Sequence, residues 1–290
     1  PVAFGEKVVM RVMDPDILFQ DLAELGFTST DLTRYQQIVR MPHGIVLVCG
    51  PTGSGKSTTL YSTLRTLSTP ENNVITVEDP IEMIHEDFNQ IGVQPAIDVT
   101  FANILRTILR QDPDIIMIGE MRDLETARNA VQAALTGHLV LSTLHTNDAP
   151  SSITRLLDLG VPPFLIQATL VGVLGQRLVR KICQYCKESF EIETAELSAM
   201  GLEIGKKGKI ELHRGTGCIK CRHTGYRGRI GIFEVLPYTE SLKKLTTADN
   251  NVETLRSRAR EEGMFTLRES AIKKMLEGLT TYEDVLRVTW

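Results

Sequence analysis

Short apolar runs recur through the first half of the chain, each followed by a stretch whose apolar positions fall three and four apart. Ile45-Val46-Leu47-Val48-Cys49 and Ile115-Ile116-Met117-Ile118 contain no polar residue. A half-buried strand alternates apolar with polar positions, whereas an unbroken run of this length marks a strand covered on both faces. The pattern predicts strands at 44–49, 74–77, 115–118 and 139–142, and helices at 56–67, 101–110, 124–135 and 149–159. Strands alternating with helices form an α/β core, a parallel sheet doubly wound by right-handed crossovers. Upstream, 7–12 reads as a strand, Pro15 as a break, and 17–25 and 32–40 as helices. From Ile182 the pattern changes to a cysteine-bearing segment with a hairpin-like portion, and from Ser241 onward it reads as small helices. The expected division is 1–14, the end of an upstream domain and linker; 15–181, the core; 182–237, the cysteine segment; and 238–290, a helical subdomain.

Between the first predicted strand and its helix lies Gly50-Pro51-Thr52-Gly53-Ser54-Gly55-Lys56-Ser57, followed by Thr58. It fits G-x-x-x-x-G-K-[ST], the phosphate-binding loop of P-loop NTPases. The glycines let the backbone turn tightly, so that its N–H groups converge on a phosphate, and the helix that follows adds its positive dipole end. Lys56 is placed to reach the β- and γ-phosphates, and the Ser57 hydroxyl to hold Mg²⁺. Residues 50–58 are therefore the expected ATP-binding set.

Such a loop needs an acid at a neighbouring strand end, to hold the metal directly or through water. The run 114–120 supplies one a residue late: Gly119 stands where an aspartate is usual, and Glu120 follows. Val77-Glu78-Asp79-Pro80-Ile81-Glu82 offers a second acidic strand end. Glu78 reads as the base that orients and deprotonates the attacking water, and Glu120 as the metal-side group. Asp79 and Glu82 suit the capping of a turn or helix. His138 and His145 flank the fourth predicted strand. An imidazole there can sense a γ-phosphate by hydrogen bonding, or serve as a structural hydrogen bonder. Arg106 and Arg110 share a helix face, where like charges repel mildly. Two readings stand side by side: a contact to the nucleotide, and a salt bridge with Asp112 or Asp114.

Cys183-Gln184-Tyr185-Cys186 and Cys218-Ile219-Lys220-Cys221 are two C-x-x-C pairs separated by residues 187–217. Each pair can place two thiolates on one tetrahedral ion, so the four together predict a closed, structural Zn²⁺ site. A redox motif needs only one pair, and disulfides belong to oxidising compartments. The remaining cysteine, Cys49, reads as a small core hydrophobe. Composition changes little: hydrophobic residues make up 42% and charged residues 23% of 290, ordinary for a globular protein. No apolar run reaches the ~18 residues that span a bilayer, and no signal peptide opens the chain, so the expected location is the cytoplasm. The start at Pro1, without Met, is the start expected of a piece of a longer protein. A net charge of −4 argues against bulk electrostatic binding of nucleic acid. The alternative is a RecA-like nucleic-acid-dependent ATPase, with Gly225-Tyr226-Arg227-Gly228-Arg229-Ile230-Gly231 beside the cysteines as its contact; a glycine-rich turn into a strand at 230–235 explains the same residues.

The phosphate loop, Glu78-Asp79-Pro80-Ile81-Glu82, Gly119-Glu120-Met121-Arg122-Asp123 and the stretch Thr136-Gly137-His138 to Thr146 occur in one order. With them the whole chain resembles the secretion ATPases of type II secretion and type IV pilus assembly, matching their Walker A, Asp-box, atypical Walker B and His-box motifs. The resemblance implies a RecA-like P-loop core with a tetracysteine metal-binding subdomain and C-terminal helices. It also implies a cytosolic homo-hexamer, peripheral to the inner membrane, that hydrolyses ATP to drive pilin or pseudopilin addition. Its implied partners are an inner-membrane platform protein and a cytosolic membrane-anchoring component, with no nucleic acid. By the same resemblance Glu78 matches the catalytic glutamate, Glu120 the Mg²⁺-linked glutamate and His145 a histidine near the γ-phosphate. Arg11, Arg106 and Arg110 become candidates for contacts across a subunit interface. Assembly members of the family often carry the tetracysteine site and retraction members lack it. Other motifs divide between the pilus branch (145–150 and 233–237) and the secretion branch (163–166 and 175–180). Most of the family's upstream domain is absent from this chain, which is therefore expected to bind nucleotide and hydrolyse it poorly.

Overall fold

The computed structural model describes residues 3, 5–9, 20–205, 208–249 and 251–289. Arg11, Pro15, residues 10–12 of the predicted first strand and residues 17–19 of the predicted first helix lie outside them. Residues 7–9 are not a strand, and what is described of the helix predicted at 17–25 is a single 3₁₀ turn, Leu22–Leu25.

Nine strands occur among the described residues: β1 (Gly44–Cys49), β2 (Val74–Glu78), β3 (Asn89–Gly92), β4 (Ile115–Ile118), β5 (Leu139–Leu144), β6 (Leu170–Ile182), β7 (Lys187–Glu193), β8 (Lys209–Gly215) and β9 (Tyr226–Pro237). β7 and β8 form a separate antiparallel hairpin. The other seven form one sheet in the order β3-β2-β4-β5-β1-β6-β9. Every pairing in that sheet is parallel except β6 with β9. The apolar runs are buried on both faces. Ile45, Leu47, Ile116 and Ile118 pack into one core, while Val46, Val48, Ile115 and Met117 pack into another on the opposite face. Each such side chain contributes roughly 1.5–3 kcal/mol of burial.

Helices close both cores. Leu60, Tyr61 and Leu64 of Lys56–Leu67 cover one face. On the other lie Phe101–Ile108, Leu124–Leu135 and Ala149–Asp158, started by the Thr100, Asp123 and Asp148 side chains, which accept from backbone N–H groups of the first turn. These side chains satisfy donors that a helix start leaves without partners. A third core joins β6 and β9 to the hairpin and to the C-terminal helices Leu267–Leu276 and Tyr282–Thr289 through Val179, Leu212, Ile232, Ala271 and Val285. Asp284 pins the last helix to β6: its buried carboxylate accepts from the Arg180 backbone N–H and from the Arg180 and Arg287 guanidinium groups, at 2.7–2.8 Å.

Glu234 ties β9 to two helix starts. Its buried carboxylate accepts from the Ala149 N–H at 2.8 Å and the Leu267 N–H at 3.2 Å. Burial pushes this carboxyl up from 4.5 to about 7, against the pull of those donors. The native state therefore holds a proton that the unfolded chain releases near 4.5. Stability from this group is full below that value and is lost as pH rises through about 7, by on the order of 3 kcal/mol. Glu234→Gln cannot ionise and should flatten that slope in urea unfolding between about pH 5 and pH 8; parallel slopes for the two proteins would contradict the assignment.

Candidate nucleotide cleft and cysteine cluster

Because β1, β2, β4 and β5 run parallel, their carboxyl ends meet along one edge of the sheet, where open α/β folds bind ligands. A cleft of ≈ 870 Å³ lies on that edge, within the range of ordinary ligand sites. It is lined by Thr52 to Thr58 from the loop and helix start, Glu78 from the end of β2, Glu120 from beyond β4 and His145 from beyond β5. The structure thus brings these predicted residues together; Gly50 and Pro51 lie at the base of the same loop.

The loop turns sharply. Gly50 has φ +152°, and a Cβ on it would sit 2.3 Å from the Gln176 carbonyl oxygen of β6. Gly55 (φ +88°) stands at the helix start and offers no side-chain acceptor to the first-turn N–H groups, unlike the three caps across the sheet. Lys56 Nζ donates to the Gly50 and Pro51 carbonyls at 2.8 and 3.1 Å. Burial holds the Lys56 ammonium below its ordinary pKa, opposed by the fields of Cys49 and Glu120. The Ser54 hydroxyl is buried with no hydrogen-bond partner among the described residues. An unpaired buried hydroxyl costs about 1–3 kcal/mol. Uncapped helix N–H groups, an ammonium and an unpaired hydroxyl around one turn are the donor set that a polyphosphate fits.

The two acids differ. Glu78 is buried and its oxygens are engaged: Oε1 accepts from the Thr76 hydroxyl at 2.6 Å and Gln90 Nε2 at 3.2 Å, and Oε2 from the Tyr61 hydroxyl at 2.6 Å. Burial and the Glu78 charge raise the Tyr61 pKa, so Tyr61 stays the donor. Glu120 is set by its backbone. The Thr143 hydroxyl donates to the Gly119 carbonyl at 2.7 Å, and the Met121 N–H to the Thr143 carbonyl at 3.1 Å. A Cβ at Gly119 would meet the Val77 carbonyl oxygen at 3.3 Å, a tight contact. Glu120 Oε2 lies 3.5 Å from His145 Nε2, and Oε1 is paired with Arg122.

Arg106 and Arg110 are exposed and do not line the cleft. Arg106 pairs with Glu125 at 2.5 Å rather than with Asp112 or Asp114, because Leu124–Leu135 packs alongside its helix; Asp114 instead accepts from the Asn73 N–H. His138 sits at the opposite end of β5 from His145, its Nδ1 2.8 Å from the Ala133 carbonyl. Cys49 is buried, and its thiol is pushed up to about 12 by that burial, so it is unreactive. The cleft also contains Arg122, Tyr61 and Gln176, which the sequence reading left without a role, and Gly228 to Gly231, which it read as a nucleic-acid contact or a glycine-rich turn. Arg122 stood inside a quoted motif. Gln176 and Gly228 to Gly231 belong to β6 and β9, whose glycines and polar residues interrupt any apolar run, and all of Tyr226–Pro237 is strand, where only 230–235 was expected.

The Sγ atoms of Cys183, Cys186, Cys218 and Cys221 all lie within 4.8 Å of one another. The contacts Cys183–Cys218, Cys186–Cys221 and Cys218–Cys221 measure 3.9, 3.8 and 3.7 Å, and none is a disulfide. Zn–S bonds of about 2.3 Å in a tetrahedron put sulfurs about 3.8 Å apart. The cluster has the size and donor chemistry of a closed Zn²⁺ site.

The model of the family "Type II/IV secretion system protein" matches residues 1–287. The type IV pilus assembly ATPase TfpB of Acinetobacter baylyi is 53% identical over 288 residues, 99% of this chain and 49% of that protein. The type II secretion system ATPase E of Vibrio cholerae is 48% identical over 289 residues, 100% of this chain and 57% of that protein. This chain therefore spans about half the length of these relatives. Among solved structures, the pilus retraction motor PilT with bound ADP superposes with TM-score 0.67 at 29% identity, covering 96% of this chain and 68% of PilT. The Legionella pneumophila ATPase DotB shares the fold, with TM-score 0.66 at 23% identity, over 93% of this chain and 65% of its own.

The loop geometry separates two glycines. Around Gly53 (φ +77°) a Cβ meets nothing within 4 Å, whereas Gly50 faces backbone. Gly53→Ala should cost about 1–2 kcal/mol, the ordinary penalty of a left-handed residue. Gly50→Ala should cost visibly more in thermal melts; equal losses would contradict the close approach of β1 to β6.

Proposed function

The chain belongs to the type II/IV secretion system protein family, and from that premise we propose that it is the ATP-hydrolysing part of a motor that assembles a type II secretion pseudopilus or a type IV pilus. The observation that carries this reading is the convergence of the phosphate loop with two strand-end carboxylates, Glu78 and Glu120, in one cleft. The ADP bound to the related PilT supports a nucleotide as the occupant.

In this reading residues 50–58 hold the nucleotide phosphates, with Lys56 leaving the Gly50 and Pro51 carbonyls to take them. Ser57 and Glu120 hold Mg²⁺, which when bound neutralises charge on the β- and γ-phosphates. Glu78 takes the proton of the attacking water, with the Tyr61 hydroxyl and Gln90 fixing its carboxylate. His145 stands on the same side and contacts the γ-phosphate. Arg106 and Arg110, which do not line this chain's own cleft, together with Arg11, serve a neighbouring subunit of a homo-hexameric ring. The four cysteines hold Zn²⁺ and brace the hairpin against β9. The ring works in the cytoplasm, at the inner membrane through a platform protein and a membrane-anchoring component. Among the described residues no helix is long and apolar enough to cross a membrane.

The test is ATP turnover by the full-length protein. Glu120→Gln and Glu78→Gln should each lower kcat by at least about 100-fold, a range expected of a lost charge-stabilising or proton-accepting group. Turnover should not change on addition of DNA. Stimulation by DNA would favour a nucleic-acid motor, and unimpaired turnover in Glu78→Gln would remove Glu78 as the base.

A further inference from the structure

Arg122 holds an unusual place beside the two acids. It lines the cleft, and its side chain is 70% exposed while that of its partner Glu120 is 13% exposed. Its guanidinium pairs with Glu120 Oε1, the other oxygen of that carboxylate faces His145 Nε2 at 3.5 Å, and Asp79 beyond β2 adds a further negative charge to its surroundings. An exposed arginine folded back onto a half-buried carboxylate gives up rotamer freedom, and isolated pairs of this kind contribute only about 0.2–1 kcal/mol. The pair is therefore easily exchanged for a stronger cation. The Thr143 hydroxyl and the Met121 N–H fix the backbone on either side of Glu120, so the carboxylate stays in place while its counter-ion changes.

We propose that Arg122 is a positioning residue that occupies the cation place on Glu120 and is displaced when Mg²⁺ enters with the nucleotide. This deepens the ATPase reading and rests on it. The exchange has two effects. Without metal, the guanidinium neutralises Glu120, so the carboxylate does not repel incoming phosphates. Once Mg²⁺ takes the carboxylate, Arg122 is released at the mouth of the cleft with its five N–H donors free. Metal binding and the position of Arg122 are thus linked through one carboxylate, and removing the competitor must make the metal bind more readily.

The experiment titrates Mg²⁺ into the full-length protein holding a fluorescent, slowly hydrolysed ATP analogue, and reads nucleotide fluorescence rather than turnover. Arg122→Ala should lower the half-saturating Mg²⁺ concentration by about three- to fivefold, the upper part of the range for one exposed pair. Arg122→Lys, a point charge without the planar fork, should fall between. In a Glu120→Gln background Arg122→Ala should shift nothing, because the competition runs through that carboxylate. An unchanged or raised half-saturating concentration in Arg122→Ala would overturn the proposal, as would a shift that persists with Glu120→Gln. Wild-type binding indifferent to Mg²⁺ would instead overturn the metal role of Glu120 on which it rests.

Discussion

The structure turns on how β1 leaves the sheet. At Gly50 the chain passes so near the Gln176 carbonyl of β6 that no side chain fits. It then reverses through Gly53 and Gly55 into a helix that has no side-chain cap. Everything at the cleft is measured from that turn. Parallel pairing of β1 with β5, β5 with β4 and β4 with β2 carries three further strand ends to the same edge, and with them Glu78, Glu120 and His145. The apolar runs that fill both cores fix the register of those pairings. The site is therefore a consequence of burial: the strands are held by side chains that take no part in the chemistry.

Much of this was legible in the chain. Runs such as 115–118 are apolar because both faces are covered, and their bounds appear in the structure as expected. The helices 56–67 and 124–135 were equally plain. What escaped was the far side of the sheet. β6 carries Gly172, Gly175, Gln176 and Arg177 where a buried strand would show branched apolar residues, and β9 opens with Tyr226-Arg227-Gly228-Arg229. In both, small and polar residues stand where backbone or cleft comes close. β9 also runs antiparallel, and no strand–helix alternation announces it. The sequence grouping that placed it with the cysteines reflects neighbours in the chain, while hydrogen bonding along β6 makes it the edge of the main sheet.

At the site, residues that the sequence singled out by their chemistry are gathered in space: Gly53, Gly55, Lys56 and Ser57 line one cleft, and the four cysteines form one cluster. Charged residues were read less well, because spacing does not say which way a side chain faces. Arg106 and Arg110 were expected on one helix face, but the helix ends at Ile108, which leaves Arg110 in the turn beyond it, and Arg106 meets Glu125. Arg122, with no periodicity to mark it, reaches the cleft. Glu78 was read as a base from its strand end alone, and the structure adds what spacing could not show, a grip by Thr76 two residues before it and by the more distant Tyr61 and Gln90.

The central claim is that the turn at Gly50 builds a phosphate site around Lys56. Equilibrium binding of a fluorescent ATP analogue to this chain, wild type against Lys56→Ala, tests it most directly. The account predicts saturable binding at one site per chain, displaced by unlabelled ATP and weakened by at least about tenfold in Lys56→Ala, as loss of a charge-assisted contact of about 1.5–3 kcal/mol requires. Equal affinity in the two proteins would place the nucleotide elsewhere and contradict the account.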